Sequence, residues 1–173
     1  MKQADIDILA REDAFKLIGK EWMLVTGGTL EKGFNTMTAS WGGIGWLWNK
    51  PVAFVFIRPE RFTHGFVEAN DHLTLSFLGN DPAMRKVLNL CGTLSGRDHD
   101  KAAECGLTPL ATEHGAVTFE QARLTIEGRK LFRADMQSQH FLNPEVLSRW
   151  YNDQPGGSLH TIYVIEIENV YTR

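Results

Sequence analysis

Three short runs carry residue types that could hold a ligand. In "FNTMTASWGG" (34–43), Thr36, Thr38 and Ser40 alternate with Met37 and Ala39, and the run closes on Trp41. As a strand it would put hydroxyls on one face. "RPERFT" (58–63) sets Arg58 and Arg61 around Pro59, with Thr63 at a predicted helix start. Backbone N–H groups and the helix dipole attract anions there. "SGRDHDK" (95–101) puts Ser95, Gly96, Arg97 and Lys101 at the start of another short helix. Together the two basic corners could hold a phosphate, with arginine or lysine supplying the charge. Each piece also has an ordinary explanation, as a half-exposed strand entering a glycine-rich turn, a helix cap, or a solvated lysine. The residues alone leave both readings open.

Other chemistries are excluded by spacing. "GGIG" (42–45) lacks the dinucleotide-binding pattern, and no glycine-rich loop ends in Gly-Lys-Ser/Thr. Asp98, His99 and Asp100 are consecutive, so on a helix they diverge rather than share an ion, and no metal is expected. Cys91 and Cys105 do not have the spacing of a zinc site or a disulfide framework and are expected to be reduced thiols. A net charge of −3 argues against a nucleic-acid partner. The chain has no apolar run long enough for a membrane span, and "MKQADIDILARED" does not resemble a signal peptide, so a cytoplasmic location is the default expectation.

The elements that must position these runs follow from patterning. A helix is expected over 10–20 and a strand over 21–28, with "TLEKG" as a hairpin loop and 34–40 returning. The apolar run 51–59 reads as a buried strand, Thr63 as the cap of a helix ending near Asn70, and 72–79 as a strand. Asp81 and Pro82 open a helix that Gly92 closes, and a second short helix stops at Gly106. Residues 116–140 read as two strands joined at Glu127–Gly128, Asn143 caps a helix, and 158–173 is a terminal strand. With 173 residues and no linker, one domain built as an antiparallel barrel is expected.

The ordered motifs "NTMTASWG", "KP", "RPERFT" and "LSGRDHDK" strongly resemble the flavin reductase-like FMN-binding split-barrel family, nearest its flavoredoxin branch, over roughly residues 15–170. The resemblance implies a mainly β, six-stranded antiparallel Greek-key split barrel with short peripheral helices, a homodimer, and FMN near the subunit interface. It implies that Asn35, Thr36, Thr38, Ala39, Ser40 and Trp41 lie against the flavin, Ala39 leaving room for the ring. Arg58 and Thr63 would lie by the ribityl chain and phosphate, Lys101 at the phosphate or ribityl chain with Ser95 in the same motif, and His140 close to the flavin, also as a catalytic candidate, while Tyr171 occupies a cofactor-binding position where relatives often have an aromatic. His64 and Gly65 depart from the family's usual residues. The implied activity is electron transfer from NADH or NADPH, bound transiently, to flavin or another acceptor. The alternative is an FMN electron carrier that serves redox proteins.

Overall fold

Alternating and apolar runs dominate the chain, and in the computed structural model, which describes residues 1–151 and 158–173, they form ten strands. The first half contains β1 (Lys2–Ala4), α1 (Ala14–Lys16), β2 (Met23–Thr29), β3 (Gly33–Ala39), β4 (Gly42–Leu47) and β5 (Lys50–Ile57). Then come α2 (Phe62–Ala69), β6 (His72–Phe77), α3 (Pro82–Thr93), α4 (Lys101–Glu104), β7 (Pro109–Ala111) and β8 (Val117–Phe119). The last elements are β9 (Leu124–Asp135), α5 (Pro144–Tyr151) and β10 (Thr161–Thr172).

The main sheet has eight strands in the order β3-β2-β6-β9-β10-β5-β4, with β1 added against β10; β7 and β8 form a separate hairpin. All pairings are antiparallel. The terminal strands β3 and β4 are joined through Ser40 and Trp41 but share no ladder among the described residues, so the barrel-like sheet is split there. The fold is therefore mainly β with short helices, as expected, and richer in strands than the six anticipated. Val25, Met37, Val55, Ile57, Leu75, Phe77, Ile126 and Tyr163 belong to the main core. A second cluster, with Leu24, Val87, Leu88, Cys91, Ala102 and Phe119, packs α3 and α4 outside the sheet.

Several local expectations hold. The β2–β3 hairpin forms, with Gly33 at φ 93°. Asp81 accepts from the N–H groups of Ala83 and Met84 at 3.0 Å, and Asn143 accepts from Glu145 N–H at 2.9 Å. The expected helix of 143–153 is α5; Asn152 and Asp153 lie outside the described residues.

Four expectations are corrected. Residues 10–20 do not form one regular helix but a 3-10 turn, α1 and a π turn over Leu17–Glu21. The glycines after Trp41 build β4 rather than a turn, because "GGIGW" pairs in full with β5. No turn occurs at Glu127–Gly128, which lies within the continuous β9; the chain instead reverses before Leu124. Gly128 is there for close approach, since a Cβ would stand 2.6 Å from Ile165 Cδ1 and 2.8 Å from the Glu166 carbonyl oxygen. Thr63 is not the cap of α2: Arg61 is, without a side-chain cap bond.

Arg123, at that reversal, fastens the N-terminal segment to the sheet. Its guanidinium donates to Glu12 at 2.8 and 3.0 Å and to Glu21 at 2.9 and 2.6 Å, and Glu21 also accepts from Gly79 N–H at 2.7 Å. The Glu21 side chain is only 5% exposed, so removing the cation strands a buried carboxylate. Arg123→Ala is expected to cost about 2–4 kcal/mol in urea unfolding at pH 7. The hydrogen bond from Arg123 holds the Glu12 carboxyl below its ordinary 4.5. Its stabilisation is thus present above that pH and lost as acid takes the carboxylate through its lower folded value; the variant should lack that part of the acid slope.

Candidate functional site

The two basic corners meet beside β3, and one buried side chain joins them. Asn35, 7% exposed, donates to Thr63 Oγ1 at 2.7 Å and to the Thr36 carbonyl at 3.3 Å. Its amide also lies against Gly96, where a Cβ would fall 1.9 Å from Asn35 Oδ1. Only glycine lets the 95–97 loop sit so close. Thr63, buried in the first turn of α2, is thereby fixed by its hydroxyl.

Around this joint lies a cleft of about 240 Å³, lined by Arg61, Phe62, Thr63, Thr93, Ser95, Gly96, Arg97 and Lys101 among others. Lys101 is 4% exposed, and its Nζ donates to the Cys91 carbonyl at 3.3 Å. Arg61 Nη2 reaches the same oxygen at 3.5 Å. Burial pushes both cations' pKa values down; Cys91 opposes this at Lys101 and Arg61 adds to it, while Glu60 opposes it at Arg61. Arg97 donates to the Glu60 carbonyl at 3.1 Å and stacks over Phe62, 5.1 Å from its ring centre. Among the described residues, none of these three cations is paired with a carboxylate within 4.0 Å. Such an arrangement favours an anion with several oxygens.

A second cleft, of about 180 Å³, is lined by Met37, Thr38, Ala39, Ser40, Trp41, Phe56, Arg58, Arg61 and His160. Arg61 lines both clefts. Arg58 donates to the Trp150 carbonyl at 2.8 Å and stands over Tyr151, 5.2 Å from its ring centre. Trp41, 40% exposed, meets Trp150 edge-on at 5.2 Å and His160 at 5.3 Å between ring centres. His160 lies 2.9 Å from the Tyr151 hydroxyl through Nδ1, and burial, with Arg58 adding, lowers its pKa to about 4. It is a neutral imidazole at pH 7. Burial raises the Tyr151 pKa, so the phenol keeps its proton and can donate it to Nδ1.

The structure brings together Thr63, Ser95 and Lys101 at the first cleft and Thr38, Ala39, Ser40, Trp41 and Arg58 at the second; Asn35 stands behind Thr63 and Gly96, and Thr36 lines neither cleft. Two β3 hydroxyls are engaged elsewhere. Thr36 Oγ1 donates to the Val25 carbonyl at 3.3 Å and accepts from Thr26 at 2.9 Å. Thr38 donates to the Leu88 carbonyl at 2.5 Å. Ser95 accepts from Arg97 N–H at 3.2 Å, shaping the loop.

Two expected residues lie elsewhere. His140 is exposed in a 3-10 turn, Ser138–His140, and lines neither cleft. The histidine at the second cleft is His160, because Thr161 pairs with Ile57 and so sets His160 beside Arg58. Tyr171 is at the far end of β10, roughly 35 Å along the strand from His160. Its hydroxyl donates to buried Glu127 at 2.9 Å and accepts from Glu113 N–H at 3.1 Å, so it serves that carboxylate. His160 was signalled only by its place before the terminal strand, in "SLHTIYV".

Residues 15–173 match the family model described as flavin reductase like domain. No curated protein matches the sequence. Among solved structures, a flavoredoxin from Methanosarcina acetivorans is similar at a TM-score of 0.66 and 19% identity, over 88% of this chain and 68% of that one. An FMN-binding protein from Thermus thermophilus with bound 1-cyclohex-2-enone gives 0.64 at 21%, over 87% and 70%. A Streptomyces globisporus NADH:FAD oxidoreductase gives 0.62 at 15%, over 88% and 75%. At these identities the likeness is one of fold.

His160 makes the second cleft testable by pH. Unfolded, the imidazole takes a proton near 6.5; folded, it resists to about 4. Between those values the unfolded chain binds more protons, so stability falls as pH falls, by up to about 1.4 kcal/mol per unit. Urea unfolding of His160→Gln across that range should show the slope reduced, and a proton NMR titration of the parent protein should show this imidazole uncharged above pH 5.

Proposed function

This chain belongs to the flavin reductase-like family, and on that footing we propose that it binds FMN across the two clefts and works as an oxidoreductase drawing electrons from a reduced nicotinamide. The observation that carries the reading is the pair Arg61 and Lys101, both withdrawn from water, both directed at one carbonyl oxygen and neither neutralised by a carboxylate among the described residues. Buried like charges are costly to hold together without a counter-ion, and a phosphate supplies one.

The residues fit the group in kind. Lys101, Arg61, Arg97 and Thr63 would hold the phosphate, with Ser95 shaping their loop and Asn35 fixing the junction. The β3 segment Thr38–Trp41 with Arg58 and His160 would border the ring. Since Thr36 and Thr38 already have hydroxyl partners, main-chain groups of β3, the Ser40 hydroxyl and the Trp41 face are the contacts proposed there. Bound FMN supplies the redox chemistry, accepting a hydride and releasing electrons. The chain orients the cofactor, shields one side with Trp41 and Trp150, and offers a neutral His160 rather than a third positive charge beside Arg58 and Arg61.

The reading includes a homodimer. Trp46 and Trp48 are 68% and 55% exposed, and Trp48 lies 6.2 Å from Phe132, itself 45% exposed, between ring centres. Large exposed rings of this kind support an interface between copies.

The protein should purify yellow and lose its flavin absorbance on anaerobic addition of NADH or NADPH. A flavin that dithionite or a protein donor reduces, and neither nucleotide does, would identify a carrier instead. Lys101→Ala should weaken FMN binding about tenfold, the loss of one charge-assisted contact, read by quenching of flavin fluorescence. An unchanged dissociation constant would remove the phosphate assignment.

A further inference from the structure

Two sulfurs bracket the anion cleft. Cys91, on α3, is fully buried, while Cys105, the C-cap of α4, is partly exposed. Their Sγ atoms are 3.9 Å apart, which is van der Waals contact. The chain between them, residues 92–104, contains the cleft's whole second wall, from Gly92 to Lys101. Both cysteines also touch the machinery of that cleft. The Cys91 carbonyl is the oxygen that Lys101 and Arg61 approach, and Cys105 N–H donates to the Lys101 carbonyl at 3.1 Å.

We propose that Cys91 and Cys105 form an oxidisable dithiol, converted by a hydroperoxide into a disulfide that loosens the cleft they bracket. The loosening rests on the phosphate reading above; the thiol chemistry does not.

The exposed sulfur reacts first. Cys105 Sγ attacks the peroxide O–O bond, an S–O bond forms, and the departing oxygen leaves as water or, from an organic hydroperoxide, as an alcohol. Cys91 Sγ then attacks Cys105 Sγ; the S–S bond forms, the S–O bond breaks, and the hydroxyl leaves as water with the Cys91 proton. In total two thiols give up two electrons and two protons, and the peroxide is reduced. The order of events follows from the surroundings. Burial, with Cys105 close by, raises the pKa of the Cys91 thiol, so it is not the sulfur that meets peroxide first. It resolves the sulfenic acid only when Cys105 presents that acid against it, giving up its proton to the departing hydroxyl.

Bonded sulfurs stand about 2.05 Å apart, so the two must close by roughly 1.9 Å from their present 3.9 Å. Rotation of the two side chains covers part of that distance, and the remainder draws α4 against α3, with which it shares the cluster of Leu88, Ala102 and Leu107. Lys101 is one helical turn from Cys105 and moves with it, out of the position from which it shares the Cys91 carbonyl with Arg61. The oxidised form thus holds an anion less well.

The test treats the full chain, with its bound flavin, with hydrogen peroxide, blocks remaining thiols, and maps the digested peptides. Expected are loss of both free thiols, a peptide pair joined through Cys91 and Cys105, recovery with dithiothreitol, and an FMN dissociation constant about tenfold higher in the oxidised form. Cys91→Ser should leave Cys105 as a sulfenic acid that dimedone traps, and Cys105→Ser should leave Cys91 unmodified. Two free thiols after peroxide, or a bridge only between chains, would overturn the proposal. A bridge formed with FMN affinity unchanged would overturn the loosening. A reduced protein that binds no FMN would remove the functional reading and the loosening with it, while the peptide map still decides the bridge.

Discussion

Arg61 and Lys101 sit within reach of a single carbonyl oxygen, and much of the surrounding structure exists to keep them there. Each loses hydration, each repels the other, and neither meets a carboxylate within salt-bridge distance among the described residues. Left to themselves, two flexible cationic side chains would swing into water. They are held because their anchors are rigid. Lys101 opens α4, whose Asp100 cap accepts from Ala103 N–H at 3.0 Å. Arg61 is the N-cap of α2, whose first turn is tied to β3 through Thr63 and Asn35. The Gly96 loop then closes over Asn35 at a distance no other residue permits. A pair of buried cations is thus assembled from parts far apart in sequence by one strand, two helices and a glycine.

How much of this the sequence discloses depends on the range of the interactions involved. Signals that act over a few residues are legible. The Asp81 and Asn143 caps, the β2–β3 hairpin, and the association of basic residues with short helix starts all depend on neighbours in the chain. The Arg58–Thr63 and Ser95–Lys101 corners are accordingly visible as basic runs beside short helix starts, although the role of Thr63 differs: its hydroxyl accepts from Asn35 instead of capping a helix. Signals that depend on register are not legible. His140 and His160 are both histidines near strand ends, and nothing local distinguishes them. The pairing of Thr161 with Ile57 does, because it places His160 beside Arg58.

Glycine shows the same limit. Gly128 invites a turn when read locally, yet it sits inside β9 because Ile165 and the Glu166 backbone pass too close for any side chain. The glycines after Trp41 likewise suggest a turn and instead form β4, whose partner β5 begins only three residues beyond its end. Tyr171 belongs to the right strand, but the length of β10 carries it far from the clefts, to a buried carboxylate held by Thr112, Asn169 and a backbone N–H. An aromatic near the C-terminus is visible in sequence; the distance along the strand is visible only once the ladder is known.

The two clefts also differ in how they treat charge, and the difference bears on what they can bind. At the first, three cations stand without carboxylate partners among the described residues, which suits a group that is fully anionic before any reaction. At the second, Arg58 is turned toward the Trp150 carbonyl and the Tyr151 ring, with Glu60 at 3.9 Å, and the nearby His160 is kept neutral. That end therefore offers oriented dipoles and aromatic faces, with Arg58 already engaged and Arg61 shared with the first cleft. A ligand matched to both clefts must be strongly anionic at one end and flat and nearly neutral at the other. Because charge placed at the second cleft would be met by dipoles rather than by a protonated imidazole, its stabilisation would be modest and nearly constant across the physiological pH range. Affinity would then come chiefly from the anionic end.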